Sequence, residues 1–227
     1  FAPGRSVRAM DLPARIPFDH KTVAVRTAIT ALAFLLIGFA LVALMRWQLA
    51  WPGRPLPVIG ALLGDTRMPG GIMLPEFYNQ LGALHGTIMV FLGIVPLAVG
   101  GFGGYLVPLM IGARQVAFPQ LNALGYACYL VGGVVMLGSL LAPGGGPAAG
   151  WTSYVPLTVI ASSGQTWWLF GMLFIIAAAL LGAVNMIVTI VQLRAPGMHW
   201  FRMPFFVWTQ LVTAFLLLLA FPPLLGA

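Results

Sequence analysis

The stretch Leu81-Gly-Ala-Leu-His85-Gly-Thr-Ile-Met-Val-Phe91 decides how this chain folds. It sits inside a longer run, about 79–111, that contains no Asp, Glu, Lys or Arg. A helix crosses a bilayer core with about 20 apolar residues, so this run can span the membrane with tilt or overhang. A β-barrel strand would alternate polar and apolar residues over about ten positions. This run is apolar on every face, so it reads as a helix. His85 is the only histidine within such a run. An imidazole in hydrocarbon is costly, which makes it a candidate functional group by default. The competing reading is a core histidine bonded to a neighbouring carbonyl.

The rest of the composition agrees with a membrane setting. Of 227 residues, 60% are hydrophobic and 7% charged, and the mean hydropathy is +0.99. Ordinary globular domains carry about 25% charged residues. Four acidic residues cannot solvate a soluble surface of this size. The formal charge of +7 does not point to nucleic acid, because the basic residues sit at the ends of apolar segments, where they suit lipid headgroups. Cys128 stands alone in an apolar run, so no internal disulfide is available and a small buried hydrophobe is the expectation.

Working outward from His85, the chain reads as all-α, a polytopic bundle of five transmembrane helices. The helices are expected at about 24–49, 79–111, 120–141, 165–193 and 204–225. Residues 1–23 form an amino-terminal arm and 24–227 the bundle. Trp51-Pro-Gly-Arg-Pro-Leu-Pro57 closes the first span and Ala142-Pro-Gly-Gly-Gly-Pro147 the third. Pro96 removes a backbone donor inside the second span, and a kink is expected there. Gly100, Gly101, Gly103 and Gly104 would admit either a neighbouring helix or a planar ligand. If the helices alternate, Arg5, Arg8, Arg15, Lys21, Arg26, Arg114, Arg194 and Arg202 fall on one side, against Arg54 and Arg67 in loops on the other. That bias predicts a cytoplasmic amino terminus. The Phe1 start and the absence of a polar tail after Ala227 suggest an incomplete chain. No cleavable signal peptide is evident.

Arg46 is the second unusual residue. It follows the uncharged run Thr27–Met45, and Trp47 and Trp51 flank it. A snorkelling interfacial arginine is one reading. Arg46 and His85 nevertheless lie near the same ends of antiparallel neighbours, where a guanidinium could bond an anionic or carbonyl group on a ligand held by His85. Gly86 leaves room beside the ring, and Met89 follows one turn later on the same face. Neutral imidazole is a good iron ligand. The chain offers no paired cysteines, no H-x-x-x-H and no second intramembrane histidine, so a six-coordinate haem would need another ligand from elsewhere. His20 and His199 read as solvated or interfacial. No carboxylate lies inside a span; a proton route would depend on Asn122, Asn185, Thr87, Thr189, Tyr105 and water.

The order of motifs carries a resemblance. His85-Gly-Thr-Ile-Met89, Gly103-Gly-Tyr-Leu-Val-Pro-Leu-Met-Ile-Gly-Ala113 and Ala117-Phe-Pro-Gln-Leu-Asn122 come first. Gly150-Trp-Thr-Ser-Tyr-Val-Pro-Leu157, Leu181-Gly-Ala-Val-Asn-Met-Ile187 and Arg194-Ala-Pro-Gly-Met198 follow. In this order the chain resembles the amino-terminal portion of subunit I of the haem–copper oxygen reductases of the cytochrome c oxidase type. The resemblance implies a bundle of about twelve helices, of which this chain would supply the first five. It implies that His85 is an axial ligand of the low-spin haem, that Arg46 bonds the formyl group of a haem A, and that Trp151 lies near the haem region. It implies electron transfer to a second haem and a copper, bound by regions outside this chain, where dioxygen becomes water.

The same resemblance implies partners and place. These are the remainder of subunit I, subunits II and III, membrane lipid, and cytochrome c or a similar donor acting through other subunits, in a bacterial inner membrane. Departures from the family pattern are concentrated in one file. An aspartate follows Ile-Gly-Ala-Pro in pumping members, whereas this chain reads Ile111-Gly-Ala-Arg-Gln115. Gly104 replaces an asparagine, and Ala178 and Ala179 replace a serine pair. Asn122 and Asn185 are what remains of that polar path, which is expected to be closed or rerouted. A nitric oxide reductase-like member without a pumping channel is therefore an alternative. A haem-free scaffold or transporter is a third reading, which leaves His85 and Arg46 unexplained.

Overall fold

The computed structural model describes residues 19–56 and 58–226. Most of the expected amino-terminal arm, including Arg5, Arg8 and Arg15, lies outside them. Five helices are long and apolar enough to cross a membrane. They are α1 (His20–Ala50), α2 (Pro75–Met110), α3 (Pro119–Leu141), α4 (Ser163–Gln192) and α5 (Phe205–Gly226). The expected spans are all present, and their ends shift by a few residues. Helix α1 starts at His20 rather than 24, because polar His20 and Lys21 continue the helix and the His20 N–H finds a side-chain acceptor on Gln115 at 3.0 Å. Helix α2 starts at Pro75 rather than 79: proline suits the first helical turn, and Glu76 complements the helix dipole there. Apolar patterning could not see that polar first turn.

Helices α1 and α2 are antiparallel partners. The glycines of α2 face α1 in register. Gly100 is set against Thr27, Gly101 against Ala28 and Gly104 against Ala24. Gly103 is set against Gln210 of α5. Of the two uses weighed for this glycine run, helix packing is the one the structure displays. One core joins Phe34 of α1, Leu84, Ile88 and Leu92 of α2, Tyr129 and Met136 of α3, and Trp168 and Ile176 of α4. A second joins α2, α4 and α5 around Val107, Ile190 and Val207. At the far end of the bundle, Arg67 donates to the Leu140 carbonyl at 2.6 Å, which ties the α1–α2 loop to the end of α3.

Around Pro96 the backbone widens into π-helical turns over Ile88–Ile94 and Pro96–Gly103. The Val95 N–H bonds back five residues to the Val90 carbonyl, and Pro96 has no N–H to continue that ladder. Within this widened segment the Tyr129 hydroxyl of α3 donates to the Leu92 carbonyl at 2.5 Å. Tyr129→Phe is expected to lower stability by about 1–3 kcal/mol, the cost of a buried group left unpaired. Thermal unfolding of the detergent-solubilised protein measures it; an unchanged midpoint would mean the carbonyl finds another donor.

Candidate functional site

His85 sits on α2 between Leu84 and Ile88, both fully buried, while its own ring is only partly covered. Its Nδ1 lies 2.9 Å from the Gly38 carbonyl of α1. A carbonyl can only accept, so Nδ1 carries the proton. The tautomer is then set, and the Nε2 lone pair is free. Among the described residues Nε2 has no hydrogen-bond partner. Imidazoles that hold metals show this arrangement, one nitrogen donating to a carbonyl and the other aimed at the ion. A core histidine bonded to a neighbouring carbonyl would make the same Nδ1 contact, so this bond is shared by both readings, and the unpartnered Nε2 is what a ligand role uses. Sequence reading missed Gly38. A signal was there: it is the only glycine of α1, and only a residue this small lets α2 come close enough for the bond.

Space beside the ring is open. A Cβ built on Gly86 meets nothing within 4 Å, and one on Gly82 meets only the Met45 tip at 3.3 Å. Met89 stands one turn on, as expected, but its sulfur lies over Gly38, within 2.7 Å of where a Cβ would be. It fills the hollow between α1 and α2. Trp151, 57% exposed, lies on the α3–α4 loop, where Gly150 rests against Ala83 of α2. Trp151, Gly82 and Gly86 line one recess of about 500 Å³. The structure thus brings Trp151 to the recess bordered by Gly82 and Gly86, and His85 itself is not among the residues that line it.

Arg46 follows Met45, on the turn of α1 that faces Gly82. Its position is eight residues beyond Gly38, about 12 Å along the axis at 1.5 Å per residue. The guanidinium is exposed and has no hydrogen bond or ion pair among the described residues. Trp47 and Trp51, on the following turn, pack against each other with ring centres 4.2 Å apart and planes tilted by 46°.

The two asparagines are separated by their duties. Asn185 is 3% exposed. Its Oδ1 accepts from the Phe118 N–H at 2.9 Å and its amide donates back to the Phe118 carbonyl at 3.3 Å. Thr189 accepts from the Ala117 N–H at 2.9 Å. These side chains clamp the α2–α3 loop onto α4. Thr87 likewise bonds the Ala83 carbonyl and the Trp168 indole. The Asn122 side chain instead borders a cavity, although its N–H donates at 3.0 Å to the same Phe118 carbonyl that Asn185 holds.

His20 requires a correction. It is 1% exposed, not solvated, with Nδ1 2.6 Å from Gln115 Oε1. Gln115 stands where the resemblance leads one to expect an aspartate, and its amide oxygen also accepts the Val116 N–H at 3.2 Å. The neutral side chain has become a clasp between α1 and the α2–α3 loop. His199 is exposed, as read from the sequence. Among the described residues no three His, Cys, Asp or Glu come together as a metal site.

A family model described as Cytochrome C and Quinol oxidase polypeptide I matches residues 22–227. The chain belongs to this family. Cytochrome c oxidase subunit 1 of Thermostichus vulcanus is 42% identical over 207 residues, covering 91% of this chain and 34% of the relative. A probable cytochrome c oxidase subunit 1-alpha of Streptomyces avermitilis is 42% identical over 212 residues, covering 92% and 34%. A heme-copper oxidase subunit I+III of Aeropyrum pernix is 41% identical over 210 residues, covering 91% and 24%. The chain thus spans about a third of the length of the first of these relatives. As a member of this oxidase family with five apolar helices, it is an integral membrane protein, and haem and copper are the cofactors the family implies. The donor set at His85 fits one axial position of a haem: a neutral nitrogen with its lone pair free, and an open flank at Gly86.

Proposed function

We propose that this chain forms the low-spin haem-binding part of subunit I of a respiratory terminal oxidase, with His85 as one axial ligand. The observation that carries the reading is the Nδ1–Gly38 contact, which leaves Nε2 free beside the space at Gly86. When bound, the haem would accept and release one electron at a time, towards a haem–copper site where dioxygen is reduced. His85 would hold the iron from α2, while Gly38 orients the imidazole and would raise its basicity through the hydrogen bond. Trp151 walls the neighbouring recess. The second axial ligand, the copper and the second haem would be held outside these residues. The names of the relatives support oxygen reduction over the nitric oxide alternative. Subunits II and III, cytochrome c as donor, a bacterial inner membrane and a cytoplasmic amino terminus complete the proposal. The charge bias of the loops supports that orientation.

A reduced-minus-oxidised spectrum of the purified complex tests this directly. A low-spin haem band is expected, and a complex without haem would end the proposal. Arg46 is assigned the formyl group of a haem A, since its guanidinium has no other partner in the described structure. Arg46→Lys keeps the charge but loses the planar fork. It is expected to shift the haem absorption band and lower the haem midpoint potential by up to about 65–130 mV, the equivalent of a charge-assisted hydrogen bond of about 1.5–3 kcal/mol at about 59 mV per tenfold change. A spectrum and potential equal to wild type would place Arg46 at the headgroups.

A further inference from the structure

The 194–203 loop between α4 and α5 carries two arginines that no described carboxylate meets. Arg194 is half-buried, with its guanidinium carbon 3.7 Å from the centre of the Trp200 ring. Its one hydrogen-bond contact among the described residues is the Met203 sulfur at 3.8 Å. A guanidinium has five N–H donors and sulfur is a weak acceptor, so most of those donors lack an oxygen. Arg202 is exposed and its side chain has no bond among the described residues. The Ala195 N–H donates to the Ile111 carbonyl at 2.9 Å, which brings the α2–α3 loop, with exposed Arg114, alongside. The one ion pair among the described residues joins Asp19 to His20.

The aromatic residues here are those of a membrane interface. Phe201 is 98% exposed. The Trp208 indole donates to the Trp200 carbonyl at 3.1 Å, and the two rings lie 5.7 Å apart. Tryptophan at the end of a span marks headgroup level. From Trp208, with Phe205, Thr209, Val212 and Thr213, an open groove of about 360 Å³ follows α5. It covers about 12 Å of helix at 1.5 Å per residue. We propose that this corner binds one anionic phospholipid, its phosphate on Arg194 and Arg202 and an acyl chain in the groove. The charge selects the occupant. A neutral helix would fill the groove and leave both arginines without an acceptor, whereas phosphate oxygens match the guanidinium fork. Attraction of basic residues to headgroups is diffuse in general; here Trp200 and Met203 hold the Arg194 plane in place. The proposal rests on this loop, not on haem ligation at His85.

The whole complex, delipidated in detergent and resupplied with phosphatidylglycerol or phosphatidylcholine, tests the site, with retained lipid counted by native mass spectrometry. Wild type is expected to hold one more phosphatidylglycerol than the Arg194→Gln/Arg202→Gln variant. Affinity at this site should fall about thirtyfold, about fivefold for each arginine. Should the pair fail to assemble, Arg202→Gln alone, at an exposed side chain, should show the fivefold loss. Val212→Trp, also at an exposed position, fills the groove and should lose the same molecule. Arg54→Gln, in the loop at the opposite end of α1, should keep it. Equal retention of the two lipids, a count unchanged by the arginine variants, or an equal loss with Arg54→Gln would overturn the proposal. So would release of the lipid by inorganic phosphate alone, or a polypeptide segment lying over the groove in a map of the complex.

Discussion

His85→Ala is expected to eliminate the low-spin haem band from the spectrum of the complex and to reduce electron transfer to background. Its Nε2 has no hydrogen-bond partner among the described residues, and no other imidazole lies in this span to replace it. Met89 is turned over Gly38, and no further metal-binding side chain clusters nearby among the described residues. The fold should survive, since the ring is only partly buried and alanine is the better helix former by up to about 0.7 kcal/mol. Unfolding temperature therefore separates ligand loss from misfolding. The vacated space adjoins the opening at Gly86, so added imidazole should restore part of the band. An unchanged spectrum, with the protein folded, would mean that iron is held elsewhere and that His85 is a packing residue bonded to Gly38.

The second large effect concerns the crossing of α3 and α4. A Cβ on Gly132 would lie 2.8 Å from the Gly171 carbonyl, and one on Gly171 would lie 2.8 Å from the Gly132 carbonyl. The obstruction is backbone on both sides, with Ile175 and Met136 crowding the same points. No rotamer change relieves it, so the helices must separate. Gly132→Ala is expected to cost about 1–3 kcal/mol, the usual range for overpacking. Gly132→Leu is expected to stop the protein accumulating in the membrane. Gly182→Ala, on α4 in open space, is the control and should raise stability by up to about 1 kcal/mol through helix propensity. Equal responses from the two alanine variants would show that the close approach does not exist.

These two sites differ in how far they could be read in advance. His85 stood out because a single imidazole interrupts an apolar run, and hydrocarbon penalises such a group whatever its neighbours. Gly132 and Gly171 did not stand out among 28 glycines, because their use depends on where two helices cross. The same holds for Tyr129, an unremarkable tyrosine until the packing of α3 brings it to the Leu92 carbonyl of α2. Asn122 and Asn185 looked like one file in the chain. In the structure one clamps a loop and the other borders a cavity, since a hydrogen bond depends on ångström placement that spacing along the chain does not carry. His20 was misread for a related reason: polar surroundings in sequence suggested water, and Gln115, 95 residues away, buries it instead.

Span number, helix type and the expected sidedness are sums over local properties: segment length, mean hydropathy and the placement of charge. The chain alone therefore determined them, along with the candidacy of His85 and Arg46. The tautomer of His85, the free Nε2 and the emptiness of the space at Gly86 came only from tertiary structure. Each depends on the register of α1 against α2, where residues 47 positions apart meet through one carbonyl, and register is settled by the packing of every side chain along the seam.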